Sequence, residues 1–242
     1  MALFSLGRLL YQLGEARKGG AGGAKSEPGT RKIPDECFEY WKSAVARLEE
    51  YLKRYPEDES APEARFLLAR SLRESALLPL QKLAEAETEN ARTEMTNAMQ
   101  GYLRAAIAQF RPLQADLLER SEADQLDELG QEMLRNCFFE IAHTYYALGD
   151  YDEAIIAYSG AVNRYAHDPR ILLAYIQMSN CYDQLGKDVE ARSMIEQARV
   201  IHRQLPAAAF RSSGGITAQG WEAWLDWARE LRQPAAVSGE SS

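Results

Sequence analysis

The side chains of this chain that could perform chemistry are few, and Glu140 and His143 form the first candidate pair. Their i, i+3 spacing puts a carboxylate and an imidazole on one face of a helix, as in di-iron helical bundles. Such a site needs a second Glu-x-x-His pair. Each of the other two histidines has an arginine three residues before it instead. We therefore expect no bound metal ion.

Nucleophilic catalysis is not supported either. Cys137 and His143 are six residues apart, which places them nearly two turns apart along one helix. The cysteines, Cys37, Cys137 and Cys181, show no Cys-x-x-Cys spacing, so we expect buried free thiols. The glycine-rich segment GGAGGAKSEPG lacks both the preceding strand and the closing G-K-[ST] of a phosphate-binding loop. We predict a protein that is not an enzyme and has no cofactor.

Composition narrows the classes of partner. The 242 residues include 36 acidic and 28 basic side chains, a net charge of −8, which disfavours binding to nucleic acid or to an anionic membrane. No stretch reaches the roughly 18 apolar residues that span a bilayer, and the N-terminus lacks a signal-peptide cleavage site. We expect no direct membrane insertion and, by default, a cytoplasmic location. Envelope association remains possible if a longer N-terminal part exists.

Apolar residues recur at helical spacing along the whole chain, and no β pattern is present. The sequence predicts a short helix that ends at Gly14, a flexible Gly-rich loop over 15–34, and helices over 35–55 and 61–78. Further predicted elements are a long helix or hairpin over about 79–120 that Pro112 bends, helices over 121–148, 151–165, 169–185 and 188–204, a loop over 206–217, a helix over 218–232 and a disordered tail over 233–242.

The stretch 147–161, ALGDYDEAIIAYSGA, predicts a helical hairpin. Gly149 suits the left-handed position that ends a helix. Asp150 can accept hydrogen bonds from the free backbone N–H groups of the next helix, and Glu153 completes a capping box. Ser60, with Glu63, is predicted to cap the helix that begins at about residue 61, and Asp168 the helix that begins at residue 169. One hairpin cannot bury both of its faces, so neighbouring hairpins are needed.

The segment LGDYDEAIIAYSGA recurs 37 residues later as LGKDVEARSMIEQA. Ala154, Tyr158 and Ala161 of the first copy fall on Ala191, Ile195 and Ala198 of the second. This pattern resembles the tetratricopeptide repeat (TPR), a 34-residue unit of two helices with an A-x3-F…A pattern in its second helix. Earlier positions fit as well: Leu6 and Gly7 match a first helix, and Ala44, Leu48 and Tyr51 match a second helix.

The resemblance implies an all-α fold, an α-solenoid of tetratricopeptide-like helical hairpins over 35–205 with a C-terminal capping helix over 218–232. Residues 1–14 would be a partial first helix of a repeat, and 79–120 a long helical insertion. Trp221, Trp224, Leu225 and Ala228 would cover the end of the last repeat.

The resemblance also implies a non-catalytic scaffold for protein–protein interaction, because the first helices of TPR units line a groove that holds an extended or helical segment. The groove residues, carried over position by position, are Arg70, Arg73, Asn136, Phe139, His143, Tyr146, Ile176, Asn180 and Asp183. A ladder of hydrogen-bond donors in this set suits a peptide with acidic or carbonyl groups. The family's clamp for a C-terminal carboxylate is absent. Trp227, at the edge of the capping face, is a possible additional contact.

A second interpretation remains open. Met1 lies near the start of a first helix with no preceding repeat to cover it, whereas solenoids need polar terminal caps. The chain could therefore be a structural self-assembly module, or the C-terminal part of a longer TPR protein that stacks end to end. The corresponding partners are a second copy of the chain or missing N-terminal repeats. The sequence names neither the partner nor the pathway.

Overall fold

A computed structural model describes residues 2–20, 32–212 and 216–232, which form α-helices and no strand. The helices are α1 (Ala2–Gly20), α2 (Asp35–Arg54), α3 (Ala61–Ser75), α4 (Leu77–Glu85), α5 (Glu89–Glu122), α6 (Glu128–Leu148), α7 (Tyr151–Arg164), α8 (Ile171–Gln184), α9 (Asp188–Gln204), α10 (Ala207–Ser212) and α11 (Ala218–Leu231). No described helix has the length and apolar character needed to cross a membrane. The predicted disordered tail, and residues 21–31 of the predicted Gly-rich loop, lie outside the described residues.

The chain divides into two compact units, Met1–Leu148 (unit 1) and Gly149–Ser242 (unit 2). In unit 1, α1 packs on α2, α2 on α3, α3 on α5 and α5 on α6. In addition α1 touches α3, and α3 touches α6. The helices α1, α3 and α6 are therefore neighbours in space although α2, α4 and α5 separate them in sequence.

The first helix continues past Gly14, where the sequence predicted its end, and runs to Gly20. Gly14 serves close packing instead of termination. A Cβ atom at Gly14 would lie 2.3 Å from Nε1 of Trp41, and one at Gly7 would lie 2.7 Å from Cγ of Leu48. Trp41 and Leu48 belong to α2 and are completely buried. Two glycines at a spacing of seven therefore let α1 lie directly against α2.

The long helix α5 supplies a repeat position that the sequence analysis assigned to an insertion. Ala106, Phe110 and Leu113 are 0%, 0% and 1% exposed. Their A-x3-F-x2-L spacing matches the buried Ala44, Leu48 and Tyr51 of α2, and the Phe110 ring lies 5.8 Å from that of Phe66 on α3. The middle of α5 thus takes the second-helix position beside α3. The extra residues are α4 and the first half of α5.

Pro112 does not end α5, which continues for ten residues beyond it. A proline inside a helix removes the hydrogen bond to the carbonyl group four residues before it. Here that residue is Ala108, and both Pro112 and Ala108 are exposed. Water can therefore satisfy the carbonyl group that loses its partner.

Two turns between consecutive repeats share one geometry, each within its own unit. In the first turn, the backbone N–H of Asp58 donates to Tyr55 O and the backbone N–H of Ala61 donates to Asp58 O. In the second turn, the backbone N–H of Asp168 donates to Tyr165 O and the backbone N–H of Ile171 donates to Asp168 O. In both turns an aspartate Oδ1 accepts from the backbone N–H two residues later, at 2.9 Å. The aspartates thus shape the turn and do not cap the helix as predicted for Asp168, and α8 begins at Ile171 instead of residue 169.

Other cap predictions differ from the structure too. Asp150 and Ser60 make no side-chain hydrogen bond to the helix that each precedes. The Asp58 side chain accepts the Ser60 N–H at 2.9 Å and the Tyr51 hydroxyl at 2.5 Å, so it serves the start of α3 from two residues further back. Gly149 does adopt the left-handed conformation, with φ of 81°.

In unit 2, α7 packs on α8, α8 on α9, and α11 on α9. The segment over 206–217, predicted as a loop, contains the short helix α10, which places Phe210 in the core with its ring 5.4 Å from that of His202. Thr217 caps α11 by accepting the Gly220 N–H. Trp221, Leu225 and Ala228 are the buried side of α11.

Candidate functional site

Unit 1 gathers charged side chains on the face shared by α1, α3 and α6. On each of the three helices, the residues concerned share one side because of their spacing, which is i, i+4 and i+7 for Tyr11, Glu15 and Lys18 on α1. On α3 the spacing is i, i+3 and i+4, and on α6 it is i, i+3. We call this set the charged cluster; its members are Tyr11, Glu15, Lys18, Arg70, Arg73, Glu74, Glu140 and His143.

Glu140 on α6 connects to both arginines of α3. Its Oε1 lies 3.5 Å from Nε of Arg70, and its Oε2 lies 3.0 Å from Nε of Arg73. The Arg70 and Arg73 side chains are 30% and 26% exposed, so both guanidinium groups lie at the surface of the cluster. The two predicted groove arginines are therefore held in place by a carboxylate of the next first helix.

Glu74 is the buried anion of the cluster, with 3% of its side chain exposed. Arg73 donates to its Oε1 at 3.0 Å, and Lys18 of α1 forms an ion pair with its Oε2. A buried carboxylate needs such partners, because an unpaired charge in the interior costs several kcal/mol. Lys18, Glu74 and Arg73 thus tie α1 to α3.

Glu15 completes the balance of charge. Its Oε2 lies 3.8 Å from Nη2 of Arg70, and the Arg70 guanidinium lies 5.2 Å from the centre of the Tyr11 ring. Burial raises the pKa of Glu15, and the nearby Glu74 carboxylate raises it further. Burial likewise raises the pKa of Tyr11, so its phenol stays protonated. Three carboxylates and three cations alternate across the face.

His143 is neutral at physiological pH. Burial lowers its pKa to about 4, and the positive charge of Arg73 adds to the effect. A neutral imidazole offers one donor and one acceptor. His143 therefore contributes a neutral hydrogen-bonding group to the cluster, in place of a charge.

The remaining unit 1 groove candidates are split between surface and core. Asn136 and Tyr146 are half-buried on α6. Phe139 is 9% exposed and belongs to the core of unit 1. The structure therefore brings Arg70 and Arg73 together with His143, while Phe139 has little surface to offer a partner.

In unit 2, the candidates lie on α8. Ile176 is 4% exposed and packs in the core. Asn180 and Asp183 already have an internal partner: Arg232, just after α11, donates to Asn180 Oδ1 at 2.9 Å and to Asp183 Oδ2 at 2.6 Å. Trp227 is 54% exposed, and its ring meets that of Trp224 edge-on at 6.0 Å.

The carboxylate considered for a metal site has other partners. Both oxygens of Glu140 face arginines, which would repel a cation. Among the described residues, no group of three or more His, Cys, Asp or Glu side chains could hold a metal ion.

Three charged residues of the cluster are not among the groove residues predicted from the sequence. Glu15 and Lys18 fall in the predicted Gly-rich loop, because the sequence predicts that the first helix ends at Gly14. Glu140 enters the sequence-based predictions only through its Glu-x-x-His pair with His143. The spacing of Tyr11, Glu15 and Lys18, at i, i+4 and i+7, was a signal that the helix continues.

Comparison with known proteins agrees with the repeat pattern. Residues 134–204 match the family model of the tetratricopeptide repeat, from within α6 to the end of α9. The resemblance is confirmed for this stretch. The predicted fold class, an all-α, α-solenoid repeat fold, is confirmed as well. No curated protein matches the chain.

Two similar solved structures contain nearly identical TPR-like repeats designated as kinesin light chain, from Podosopora anserina; the second is a single-substitution variant of the first. Each is 19% identical, covers 84% of this chain and 97% of its own, and has a TM-score of 0.37. A likeness at this level says nothing about what this chain binds. TPR repeats in general mediate protein–protein interaction, which is the function class that the match over 134–204 supports.

Proposed function

We propose that the chain is a non-catalytic protein-interaction scaffold. It binds an extended or helical segment of a protein partner along the face formed by the first helices of its repeats, and in unit 1 this face is the charged cluster on α1, α3 and α6. The partner's main chain lies across Arg70 and Arg73. The proposal draws on the repeat match and on the composition of that face.

Two partly exposed guanidinium groups on this face carry the proposal. Within the cluster, the buried Nε atoms of Arg70 and Arg73 and the buried Oε2 of Glu140 lack a hydrogen bond of good geometry, whereas Tyr11 and Glu15 interact through their side chains. The arginine and glutamate atoms are within ion-pair distance of one another but are not aligned as donor and acceptor. A partner cannot reach these buried atoms, but the Arg70 and Arg73 side chains are 30% and 26% exposed, so the outer N–H groups of the two guanidinium groups are the donors that a bound segment can meet.

Charge balance selects the chemistry of the segment. The three cations of the cluster already have three carboxylates beside them, so an incoming side-chain carboxylate would have to displace Glu15 or Glu140. A backbone carbonyl brings no charge and can accept a spare N–H of a guanidinium, which has five donors. Extended peptides expose such carbonyls regularly. Backbone carbonyls are therefore the main groups that Arg70 and Arg73 recognise.

A binding measurement on designed peptides tests the proposal. The probes are fluorescently labelled peptides of extended sequence in neutral, acidic and basic sets, and the readout is fluorescence anisotropy. We expect the full-length chain to bind neutral peptides best. Arg70→Ala should weaken that binding by roughly tenfold or more, since a charge-assisted hydrogen bond contributes about 1.5–3 kcal/mol.

Arg65→Ala is the matched control. Arg65 lies on the same helix, α3, five residues before Arg70, and therefore points to a different side. It takes part in no described ion pair of the cluster. Circular dichroism should show the same helix content for both variants. The proposal fails if no peptide set binds, or if Arg70→Ala and Arg65→Ala bind equally well.

A further inference from the structure

Three arginines line one cavity of unit 2, at the contact between α9 and α11. The cavity has a volume of about 180 Å³, and its lining residues are Arg192, Ile195, Glu196, Arg229 and Arg232. The lining residues of α9 share one side of that helix at i, i+3 and i+4, and the two arginines at the end of α11 share a side at i, i+3. Basic side chains from both helices therefore meet in one place, in a chain whose net charge is −8.

Two of these arginines have no counter-charge. Within the part of the chain that the structure describes, no carboxylate forms an ion pair with Arg192 or Arg229. Both residues are half-buried, and Nε of Arg229 is buried without a hydrogen-bond partner. A guanidinium cannot lose its proton in a protein, so its charge stays uncompensated there. An anion that reaches the outer N–H groups of these side chains would be stabilised.

The carboxylates nearest to the cavity already have partners. Oε2 of Glu196 lies 2.9 Å from Nη1 of Arg199, and Nη2 of Arg199 lies 3.1 Å from Oδ1 of Asp226. Asp183 accepts from Arg232 at 2.6 Å. These three carboxylates stand beside Arg199 and the three arginines of the cavity, so positive charge remains in excess.

The number of donors selects the kind of anion. Each guanidinium presents its N–H groups in a planar fork that matches phosphate geometry. Nη1 of Arg232 makes only a long contact, 3.4 Å, with Ala228 O, so Arg232 also has a donor to offer. A phosphoryl group on a side chain has three acceptor oxygens and a charge of about −1.5 to −2 at neutral pH. It can therefore engage three arginines, whereas a carboxylate has only two oxygens.

We propose that this cavity binds a phosphoryl group, carried by a phosphorylated side chain of a protein partner or present as inorganic phosphate. Arg192 and Arg229 supply the uncompensated charge, and Arg232, which Asp183 holds in place, supplies a further donor. The site lies in unit 2 and shares no residue with the charged cluster. It therefore goes beyond the peptide-binding face, and the two proposals can fail separately.

Isothermal titration calorimetry of the full chain tests the site with two probes. One is inorganic phosphate, and the other is a short peptide with blocked ends and a single phosphoserine; the same peptide with serine or glutamate at that position is the comparison. The phosphoserine peptide should bind roughly tenfold or more tightly than the serine peptide, and more tightly than the glutamate peptide. Arg192→Ala and Arg229→Ala should each weaken the binding by roughly tenfold or more, because a charge-assisted hydrogen bond is lost.

Arg203→Ala is the matched control. It removes the same charge from α9 at an exposed position about three turns from Arg192, and it should bind both probes like the unchanged chain. Bound phosphate should raise the Tm of the unchanged chain and of this control, and leave the Tm of Arg192→Ala and Arg229→Ala unchanged. Because the two test positions lie on different helices, a loss of helix content in one variant leaves the other as the test.

The outcomes separate the two sources of the phosphoryl group. If inorganic phosphate binds and the phosphoserine peptide does not, the ligand is free phosphate; if the peptide binds and phosphate displaces it, the ligand is a partner's side chain. Arg70→Ala should leave the binding of phosphate unchanged, whatever it does to unphosphorylated peptides. The proposal is overturned if neither probe binds, or if Arg192→Ala and Arg229→Ala bind as well as Arg203→Ala. It is also overturned if the glutamate peptide binds as tightly as the phosphoserine peptide.

Discussion

Gly14→Ala probes the contact between α1 and α2. The added methyl carbon would lie 2.3, 2.7 and 2.9 Å from Nε1, Cδ1 and Cε2 of Trp41. These are atoms of a rigid ring that is completely buried, so the ring has no free space to move into. The helix α1 must shift instead.

The magnitude follows from two opposing effects. Overpacking a core costs about 1–3 kcal/mol, and three contacts under 3 Å with a rigid ring place this case at the upper end. Alanine in place of glycine inside a helix raises the free energy of unfolding by about 1 kcal/mol. The expected net loss is about 2 kcal/mol, which for a unit of this size lowers the Tm by about 4–8 °C.

Thermal unfolding followed by far-UV circular dichroism measures the effect, and Gly101→Ala is the matched control. Gly101 is an exposed residue of α5, and a Cβ atom there would meet nothing within 4 Å. This control should raise the stability by about 0.5–1 kcal/mol. If Gly14→Ala melts at or above the temperature of the unchanged chain while Gly101→Ala behaves as expected, the close packing of α1 on Trp41 is refuted.

Three further predictions concern the pH, the thiols and the turns. The pKa of His143 is about 4 in the folded chain, below its unfolded value, so the free energy of unfolding should be highest above about pH 6.5 and fall by up to about 3 kcal/mol as the pH drops toward 4. Denaturant titrations of His143→Gln should lack the part of this fall that His143 causes. An identical pH profile for the variant and the unchanged chain would contradict the prediction. Burial leaves Cys37, Cys137 and Cys181 0% exposed, so Ellman's reagent should detect none of them in the native chain and all of them in denaturant. Asp58→Ala removes the acceptor for the Tyr51 hydroxyl and for the Ser60 N–H and should lower the Tm. Glu57→Ala changes an exposed neighbour and should leave the Tm unchanged. Equal melting temperatures for the two variants would show that the turn between α2 and α3 does not depend on the Asp58 side chain.

The charged cluster changes what the groove can recognise. From the sequence, Arg70 and His143 were members of a ladder of donors for acidic or carbonyl groups. In the structure Arg70 lies beside Glu15 and Glu140, and His143 is neutral because burial lowers its pKa. Whether a side chain is a free donor depends on which helix lies next to it, and that is not encoded in its own position within a repeat.

The local spacing of apolar residues was enough to predict most of the helices. The spacing of Ala154, Tyr158 and Ala161 identified a buried face, and each of these side chains is 0% exposed. The copy of this pattern in α9 identified the repeat that the match over 134–204 confirms. Such periodicity is visible without tertiary structure, because the geometry of one helix fixes which side chains share a side.

The sequence alone also determined an all-helical chain of hairpins, because apolar spacing and breakers act within one helix. Tertiary structure alone decided that Gly14 is a packing site against Trp41, and that Glu15 and Lys18 belong to a helix. It also decided that the groove arginines are paired with Glu140. These outcomes depend on contacts between residues far apart in the chain. In the sequence alone, a glycine that ends a helix cannot be distinguished from a glycine that leaves room for an indole ring, because the difference depends on the helix that packs against it.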